Sequence, residues 1–121
     1  MENCLFCKIV QGEIPCEKVL EDSDFLAFKD INPRARVHVL VVPRKHVSSL
    51  NELEAATAKE GGASPEVDGQ ALLDFVVRVA RASGIEESGY RAIVDVGPHG
   101  GQEVPHLHFH VLGGEDLGDL R

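Results

Sequence analysis

The chain has 121 residues, of which 43% are hydrophobic and 26% charged, and this composition predicts one globular domain over residues 1–121. The formal net charge of −8 argues against nucleic acid as a partner, because that binding relies on Lys and Arg at the phosphates. No apolar run approaches the ~20 residues of a membrane helix, so we expect no membrane association.

The N-terminus has neither the basic segment nor the apolar core of a signal peptide. We therefore expect a cytoplasmic protein whose three cysteines are not paired in disulfides. Cys4 and Cys7 have the CxxC spacing of half a zinc site. This pair alone is weak evidence, because two further ligands would have to come from elsewhere.

Short elements follow the cysteine pair. The sequence predicts a helix over residues 6–10, and then a hairpin of strands over residues 17–21, with Val19 inward, and 25–28. Asp30 follows the second strand. An acid at a strand end is usually solvated, but it can also accept hydrogen bonds from the two hydroxyls of a ribose.

The middle of the chain predicts a central strand and a long helix. The β-branched run over residues 37–42 is typical of a buried strand ended by Pro43. His38 lies inside this run, where a single histidine is more often a core residue than a ligand. A short helix is predicted over residues 48–58.

The long helix is expected to start at Ser64-Pro65-Glu66, with Ser64 as N-cap, and to end at Gly84. Its apolar stripe indicates core or subunit contact. The stripe comprises Leu72, Val76, Val79, Ala80 and Ser83, widened by Leu73 and Val77.

A strand over residues 90–96 leads into the glycine-rich loop of residues 97–102. Glycine lets backbone N–H groups approach a phosphate closely. This signal is weak alone but stronger here, because the loop immediately precedes a run of histidines.

His106, His108 and His110 alternate with apolar residues at a period of two. In a strand this pattern turns Leu107, Phe109 and Val111 to the core, and it places the histidines in a row about 7 Å apart on the other face. Three imidazoles in a row can do nucleophilic, acid–base or metal chemistry near neutral pH. A metal-dependent cupin also uses His-x-His on a strand, but it needs a later histidine, and none follows His110.

With these motifs the chain resembles the histidine triad superfamily. Residues 106–112 look like its His-φ-His-φ-His-φ-φ signature, where φ is apolar. The flanking Gly100-Gly101-Gln102 and Leu112-Gly113-Gly114 look like the Hint branch, and the blocks at 5–10, 27–31 and 41–46 match in order and spacing. The resemblance implies an α+β fold with about five mostly antiparallel strands, one long helix and short helices.

The resemblance also implies a reaction. Hint-like proteins hydrolyse nucleoside 5′-monophosphate derivatives, especially purine nucleoside phosphoramidates such as adenosine 5′-monophosphoramidate. By position, His108 would be the nucleophile that forms a nucleotidyl-histidine intermediate. His110 would contact the phosphate, and His38 would be a fourth histidine that orients the triad.

Further positions match the nucleotide-binding residues of the family. Asp30 would hold the ribose hydroxyls, and Gly101, Gln102 and the amide of position 103 would form the phosphate cradle. The apolar walls of the base pocket would be Leu5, Phe6, Ile9, Phe28 and Ile31. Asp95 stands where Asn is usual and Glu103 where Ser or Thr is usual, so each brings a carboxylate toward an anionic substrate.

Two further properties are implied by the resemblance. Some bacterial members bind structural zinc through residues that match Cys4, Cys7, His46 and His106, and members are typically homodimers joined through the long helix and a strand. The alternative from another class is a nucleotide-binding regulatory module with little or no turnover, because such a module would need the same binding residues.

Overall fold

The computed structural model describes residues 3–57 and 66–119, and its strands form one antiparallel sheet in the order β1-β2-β3-β5-β4. The strands are β1 (Lys18–Glu21), β2 (Phe25–Lys29), β3 (Val37–Pro43), β4 (Tyr90–Val94) and β5 (Phe109–Gly113). The helices are α1 (Leu5–Val10), α2 (Leu53–Thr57), preceded by a 3₁₀ turn at Leu50–Glu52, and α3 (Gly69–Ala82). The predicted α+β class and five-stranded antiparallel sheet are confirmed.

The long helix α3 covers one face of the sheet. Alternate residues of the strands point toward it because side chains in a strand change faces at each step. On the sheet side this core contains Phe25, Ala27, Val39, Val41, Phe109 and Val111. On the helix side it contains Leu72, Phe75, Val76, Val79 and Ala80.

The short helix α1 covers part of the opposite face. Phe6 and Ile9 of α1 pack against the other alternating set of strand residues. That set comprises Leu26, Phe28, Leu40 and Val42. The histidines lie on this second face, so α1 and the triad share one side of the sheet.

The edge strand β1 is irregular, whereas the edge strand β4 is regular. The register of β1 against β2 shifts between Lys18 and Leu20. The shift lets Val19 and Leu20 both pack against the core under α3, because an extra residue interrupts the alternation of faces. The predicted inward position of Val19 is confirmed.

The start of the long helix differs from the prediction. The N-cap is Asp68, whose carboxylate accepts from the amides of Gln70 and Ala71. The predicted N-cap at Ser64 is therefore wrong; Ser64 and Pro65, like the connection over residues 61–64 and Ala58, lie outside the described residues. The predicted end is confirmed, because Gly84 takes a positive φ of 74° just after the C-cap.

The apolar stripe of α3 is only partly core, so the predicted alternatives of core and subunit contact divide among its residues. Leu73 and Val77 are 53% and 37% exposed. Phe75, which the predicted stripe omits, is fully buried. Spacings of three and four from Leu72 and Val79 place Phe75 on the buried face.

Several other boundaries move by a few residues. β3 includes Pro43, which pairs with Phe25 at the strand end, where a proline is tolerated. β4 ends at Val94 rather than at residue 96, and the predicted helix over 48–58 is the 3₁₀ turn, capped by Ser49, followed by α2. None of the helices in the described ranges is long and apolar enough to cross a bilayer.

Candidate active site

The histidine row lies on one face of the sheet, as predicted, although only its last member belongs to a regular strand. Leu107, which the alternation predicts to face the core, is buried in the core under α3. β5 starts at Phe109, and the amide of Leu107 donates to the Val47 carbonyl instead of to a strand. His110 pairs with Leu40 of β3 and Ile93 of β4, so it lies on an interior strand with neighbours on both sides.

His108 is held in one tautomer by the backbone. Its Nδ1 lies 2.7 Å from the carbonyl oxygen of His106. A carbonyl only accepts, so Nδ1 carries the proton and the neutral ring keeps a lone pair on Nε2. The Phe6 ring meets the His108 ring edge-on at 5.0 Å between centroids. An oriented neutral imidazole with a free lone pair is a nucleophile.

Two successive hydrogen bonds, from the Arg34 backbone to His38 and from His38 to His110, fix the tautomer of His110. The backbone N–H of Arg34 donates to Nδ1 of His38 at 3.1 Å, so the neutral ring of His38 carries its proton on Nε2. That Nε2 lies 2.9 Å from Nδ1 of His110, which therefore accepts. His110 is left with its proton on Nε2. The ring centroids of His108 and His110 are 5.1 Å apart.

Two carboxylates lie next to the hydrogen-bonded pair of His38 and His110. Oδ2 of Asp30 lies 3.5 Å from Nε2 of His38, while its Oδ1 accepts from the Asn32 amide at 2.8 Å. Oδ2 of Asp95 lies 3.8 Å from Nε2 of His110. Asp30, just after β2, thus lies beside the hydrogen bond between the two rings, and Asp95, just after β4, lies near the other nitrogen of His110.

Burial keeps this pair of imidazoles neutral. It lowers the pKa of His38, and it also lowers the pKa of His110, where the neighbouring rings of His108 and His38 act in the same direction. The negative charges of Asp30 and Asp95 partly oppose these shifts by raising the pKa of His38 and His110, respectively.

His106 has different surroundings. It is fully buried, and its Nε2 donates to the carbonyl of Pro43 at 2.8 Å. Its Nδ1 faces Sγ of Cys4 at 3.3 Å and Sγ of Cys7 at 3.5 Å, and Nδ1 of His46 lies 3.3 Å from Sγ of Cys7. The four donor atoms all lie within 4.8 Å of one another.

These four residues fit a tetrahedral metal. Zinc bonded to sulfur at about 2.3 Å and to nitrogen at about 2.0 Å separates the two donors by about 3.5 Å, close to the distances here. The bond from His106 to the Pro43 carbonyl leaves Nδ1 as the free donor atom, as ligating histidines require. Burial and the neighbouring Cys4 raise the pKa of Cys7 to about 11, so the thiol keeps its proton unless a cation is present.

Hydrogen bonds of the Gln102 side chain stabilise the glycine-rich loop of residues 97–102. The side chain of Gln102 accepts from the amide of Gly97 and donates to the carbonyls of Ser48 and Val104. The amide of Gly101 donates to Pro98 and that of Gln102 to Gly97. Both amides therefore make hydrogen bonds within the loop. The side chain of Glu103 is exposed.

Gly100 is required by the same turn. A Cβ there would lie 2.3 Å from the carbonyl oxygen of Val96. The loop can therefore take its compact shape only with a glycine at this position.

The five predicted apolar wall residues divide into two groups. Phe6, Ile9 and Phe28 are buried, with Phe6 and Phe28 in edge-to-face contact at 5.7 Å. Leu5 and Ile31 are exposed, Ile31 at 92%.

Some site features have no sequence signal because they belong to the backbone. These are the amide of Arg34 and the carbonyls of Pro43 and His106. The contact of Asp95 with His110 depends on strand pairing, because Asp95 comes just after β4 and Ile93 of β4 pairs with His110. For Asp95 itself, the signal in the sequence is the family resemblance.

The sequence is similar to those of known proteins over nearly its whole length. The HIT domain profile matches residues 11–117. The chain is 36% identical over 119 residues to the purine nucleoside phosphoramidase of Escherichia coli, covering 98% of this chain and 93% of that protein.

Two solved structures have the same fold. A histidine triad protein from Clostridium difficile aligns with a TM-score of 0.85 at 39% identity, covering 100% of this chain and 98% of the other. A HIT family hydrolase from Clostridium thermocellum aligns with a TM-score of 0.84 at 41% identity, covering 99% and 97%. The chain therefore belongs to the HIT domain family.

Proposed function

We propose that this chain hydrolyses purine nucleoside 5′-phosphoramidates, such as adenosine 5′-monophosphoramidate, through a nucleotidyl-histidine intermediate on His108. The observation that carries this proposal is the bond from Nδ1 of His108 to the carbonyl of His106, which leaves Nε2 with the lone pair. The similarity to HIT family hydrolases supports a hydrolase, and the Escherichia coli relative supports the substrate class.

The reaction would proceed in two displacements. First, Nε2 of His108 forms a bond to phosphorus while the P–N bond breaks, and the amine leaves after taking up a proton. Water then forms a new P–O bond, the bond from phosphorus to His108 breaks, and the nucleoside monophosphate is released. An imidazole suits both steps because it attacks while neutral and leaves readily, which divides one difficult step into two easier ones.

His110 and His38 would support the nucleophile. The proton on Nε2 of His110 can hydrogen-bond to a phosphoryl oxygen, because Nδ1 of the same ring accepts from His38. His38 thereby sets the tautomer of His110, and the Arg34 amide sets that of His38. Fixed donors of this kind need no reorganisation as charge moves in the transition state.

The nucleotide would lie along the same face. Asp30 is proposed to bind the ribose hydroxyls, and the exposed Leu5 and Ile31 to contact the base above the buried Phe6, Ile9 and Phe28. At the phosphate, the amide of Glu103 would donate, while Gly101 and Gln102 would contribute the shape of the loop. Asp95 would stand beside His110 at the edge of the phosphate site.

We also propose that Cys4, Cys7, His46 and His106 hold a structural zinc ion. Two thiolates and two imidazoles form a closed set with no position left for substrate water. When bound, zinc would supply a cross-link between α1, the segment after β3 and the triad segment. The carbonyl that orients His108 belongs to His106, so the proposed ligand is also next to the nucleophile.

The proposed assembly is a homodimer. Leu73 and Val77 lie one turn apart on α3 and are both exposed in the single chain. Burying such a pair against a second copy removes apolar surface from water. Sedimentation of wild type and of Leu73→Asp tests this, and equal masses for the two would contradict a contact through α3.

Turnover is the direct test of the proposed function. The purified protein is expected to release ammonia and adenosine monophosphate from adenosine 5′-monophosphoramidate. Intact-protein mass spectrometry after rapid quench is expected to show a nucleotidyl adduct. Binding of adenosine monophosphate without turnover of any phosphoramidate would instead indicate a regulatory nucleotide-binding module.

A further inference from the structure

Asp95 and Glu103 put carboxylates near the proposed phosphate site, where the resemblance to the Hint branch implies uncharged residues. The two side chains point in different directions. Asp95 directs Oδ2 to within 3.8 Å of Nε2 of His110, and its side chain is 29% exposed. Glu103 is exposed on the loop. One acid therefore faces the triad, while the other faces solvent.

Asp95 lies near Nε2 of His110, the proposed donor to the phosphate. His110 is surrounded by the rings of His38 and His108 and lies within the field of the Arg34 cation. Asp30 lies beside the hydrogen bond between His38 and His110, with a carboxylate oxygen within 4.8 Å of a ring nitrogen of each. Nε2 of His110 is the donor that the proposed function directs at a phosphoryl oxygen. An anion bound there comes close to the Asp95 carboxylate.

The substrate and the product of the proposed reaction differ in charge. A phosphoramidate monoester or a phosphodiester carries one negative charge at its phosphorus group. A nucleoside 5′-monophosphate carries nearly two above pH 7, because its second pKa is about 6. Repulsion by a fixed carboxylate is proportional to the charge on the ligand.

We propose that Asp95 is a specificity-determining residue that selects ligands with a singly charged phosphorus group and weakens binding of the doubly charged monophosphate. This inference rests on the proposed function, and it deepens that function by defining which phosphorus compounds the site accepts. It assigns Asp95 a role in release of the product as well as in choice of substrate.

The carboxylate also has an opposing effect through His110. Its negative charge favours a protonated His110, and a cationic ring would attract anions. At pH 8 this effect is small, because burial and the neighbouring rings lower the pKa of His110 and the ring is neutral. Direct repulsion therefore decides the sign at this pH.

The test is a series of ligands with increasing charge at one pH. Calorimetry at pH 8 and low salt measures the affinity of adenosine, of adenosine 5′-(methyl phosphate) and of adenosine monophosphate, which carry zero, one and about two negative charges. The proteins are wild type and the isosteric variant Asp95→Asn. Glu87→Gln removes an exposed carboxylate in the turn before β4, at the end of the strand away from Asp95.

Asp95→Asn is expected to leave adenosine affinity unchanged, to tighten the methyl phosphate about threefold and to tighten the monophosphate about tenfold. This is the threefold effect per unit charge expected at about 6 Å in a dielectric near that of water. Glu87→Gln is expected to change none of the three. Glu103→Gln is expected to give less than about twofold even for the monophosphate, because its carboxylate is exposed and screened.

Three results would overturn the inference. They are an equal change for all three ligands, no change for any, and weaker binding that grows with ligand charge. Failure of wild type to bind any of the three ligands would overturn both this inference and the proposed function. Absence of phosphoramidate turnover together with the expected charge series would contradict only the proposed function.

Discussion

The first and last histidines of the triad differ in what they contact. His106 has both ring nitrogens directed into the protein, one at the Pro43 carbonyl and one at the sulfurs of Cys4 and Cys7. In His110, Nδ1 accepts from His38, and Nε2 lies near Asp95, whose side chain is partly exposed.

The difference shows that one repeated motif can place its histidines in two different environments. The alternation of the sequence puts all three rings on one face, but the neighbouring segments decide their chemistry. The N-terminal cysteines reach His106, while the central strand β3 brings His38 to His110. His108 stands between them, oriented by the backbone of the first and in ring contact with the last.

Replacing His108 tests the catalytic part of this comparison and has the largest expected effect. His108→Ala removes the proposed nucleophile, so phosphoramidate turnover should fall by at least ~10³-fold and the nucleotidyl adduct should disappear. Metal content should stay the same, because His108 is not among the four proposed ligands. Near wild-type turnover of this variant would show that another group attacks phosphorus.

Replacing the cysteines tests the metal part. Cys4→Ser/Cys7→Ser should lose bound zinc, and its free energy of unfolding should fall by about 3 kcal/mol or more, because metal binding and folding are coupled. Elemental analysis and urea unfolding measure the two effects. The matched variant Cys16→Ser changes a cysteine outside the cluster and should keep the metal. A double variant that retains one zinc per chain would exclude the proposed ligand set.

Acid should destabilise the metal-free protein through His106. Burial lowers the pKa of His106 in the folded state from 6.5 to about 4, so between these values the unfolded state binds more protons. Stability is therefore complete above about pH 6.5 and decreases as the pH falls toward 4, by about 3 kcal/mol.

Urea unfolding of chelated protein at pH 7, 5.5 and 4 measures this loss. His106→Gln should show a shallower dependence of stability on pH. The same slope in both proteins would assign the effect to other groups.

The smallest expected effect in this series concerns His38. His38→Ala removes the donor to Nδ1 of His110 and leaves that atom without its partner. Turnover should fall about 10-fold to 100-fold, since an unsatisfied buried polar group costs about 1–3 kcal/mol. His38→Asn, which keeps a side-chain N–H donor, should recover part of this loss. Equal rates for the two variants would mean that the hydrogen bond does not position His110.

Much of the fold follows from patterns that depend on side chains alone. The period-two run of His106 to Val111 and the β-branched run of β3 indicate two interior strands, because alternate burial is a direct consequence of strand geometry. The first of these strands begins only at Phe109, since the segment before it bonds to the Val47 carbonyl. The start of α3 does not follow from such a pattern. Ser64 and Asp68 are both good N-caps by residue type, and only the structure distinguishes them.

The candidate site divides in the same way. The four proposed metal ligands and the His38–His110 pair join distant segments. Only the resemblance to a known family connects them in the sequence, since no local pattern links Cys4 with His106. The tautomers could not be predicted, because they depend on backbone atoms of Arg34, Pro43 and His106. Backbone positions follow from the fold and leave no mark on residue types.

The unequal edges of the sheet affect how copies of the chain can associate. β4 offers a regular edge, but β1 is interrupted by a change of register, and an irregular edge is a poor template for another strand. Pairing of two copies through β4 would place the same strand on both sides of a two-fold axis and leave only β1 edges outward. Such an assembly closes after two subunits instead of growing into a fibre.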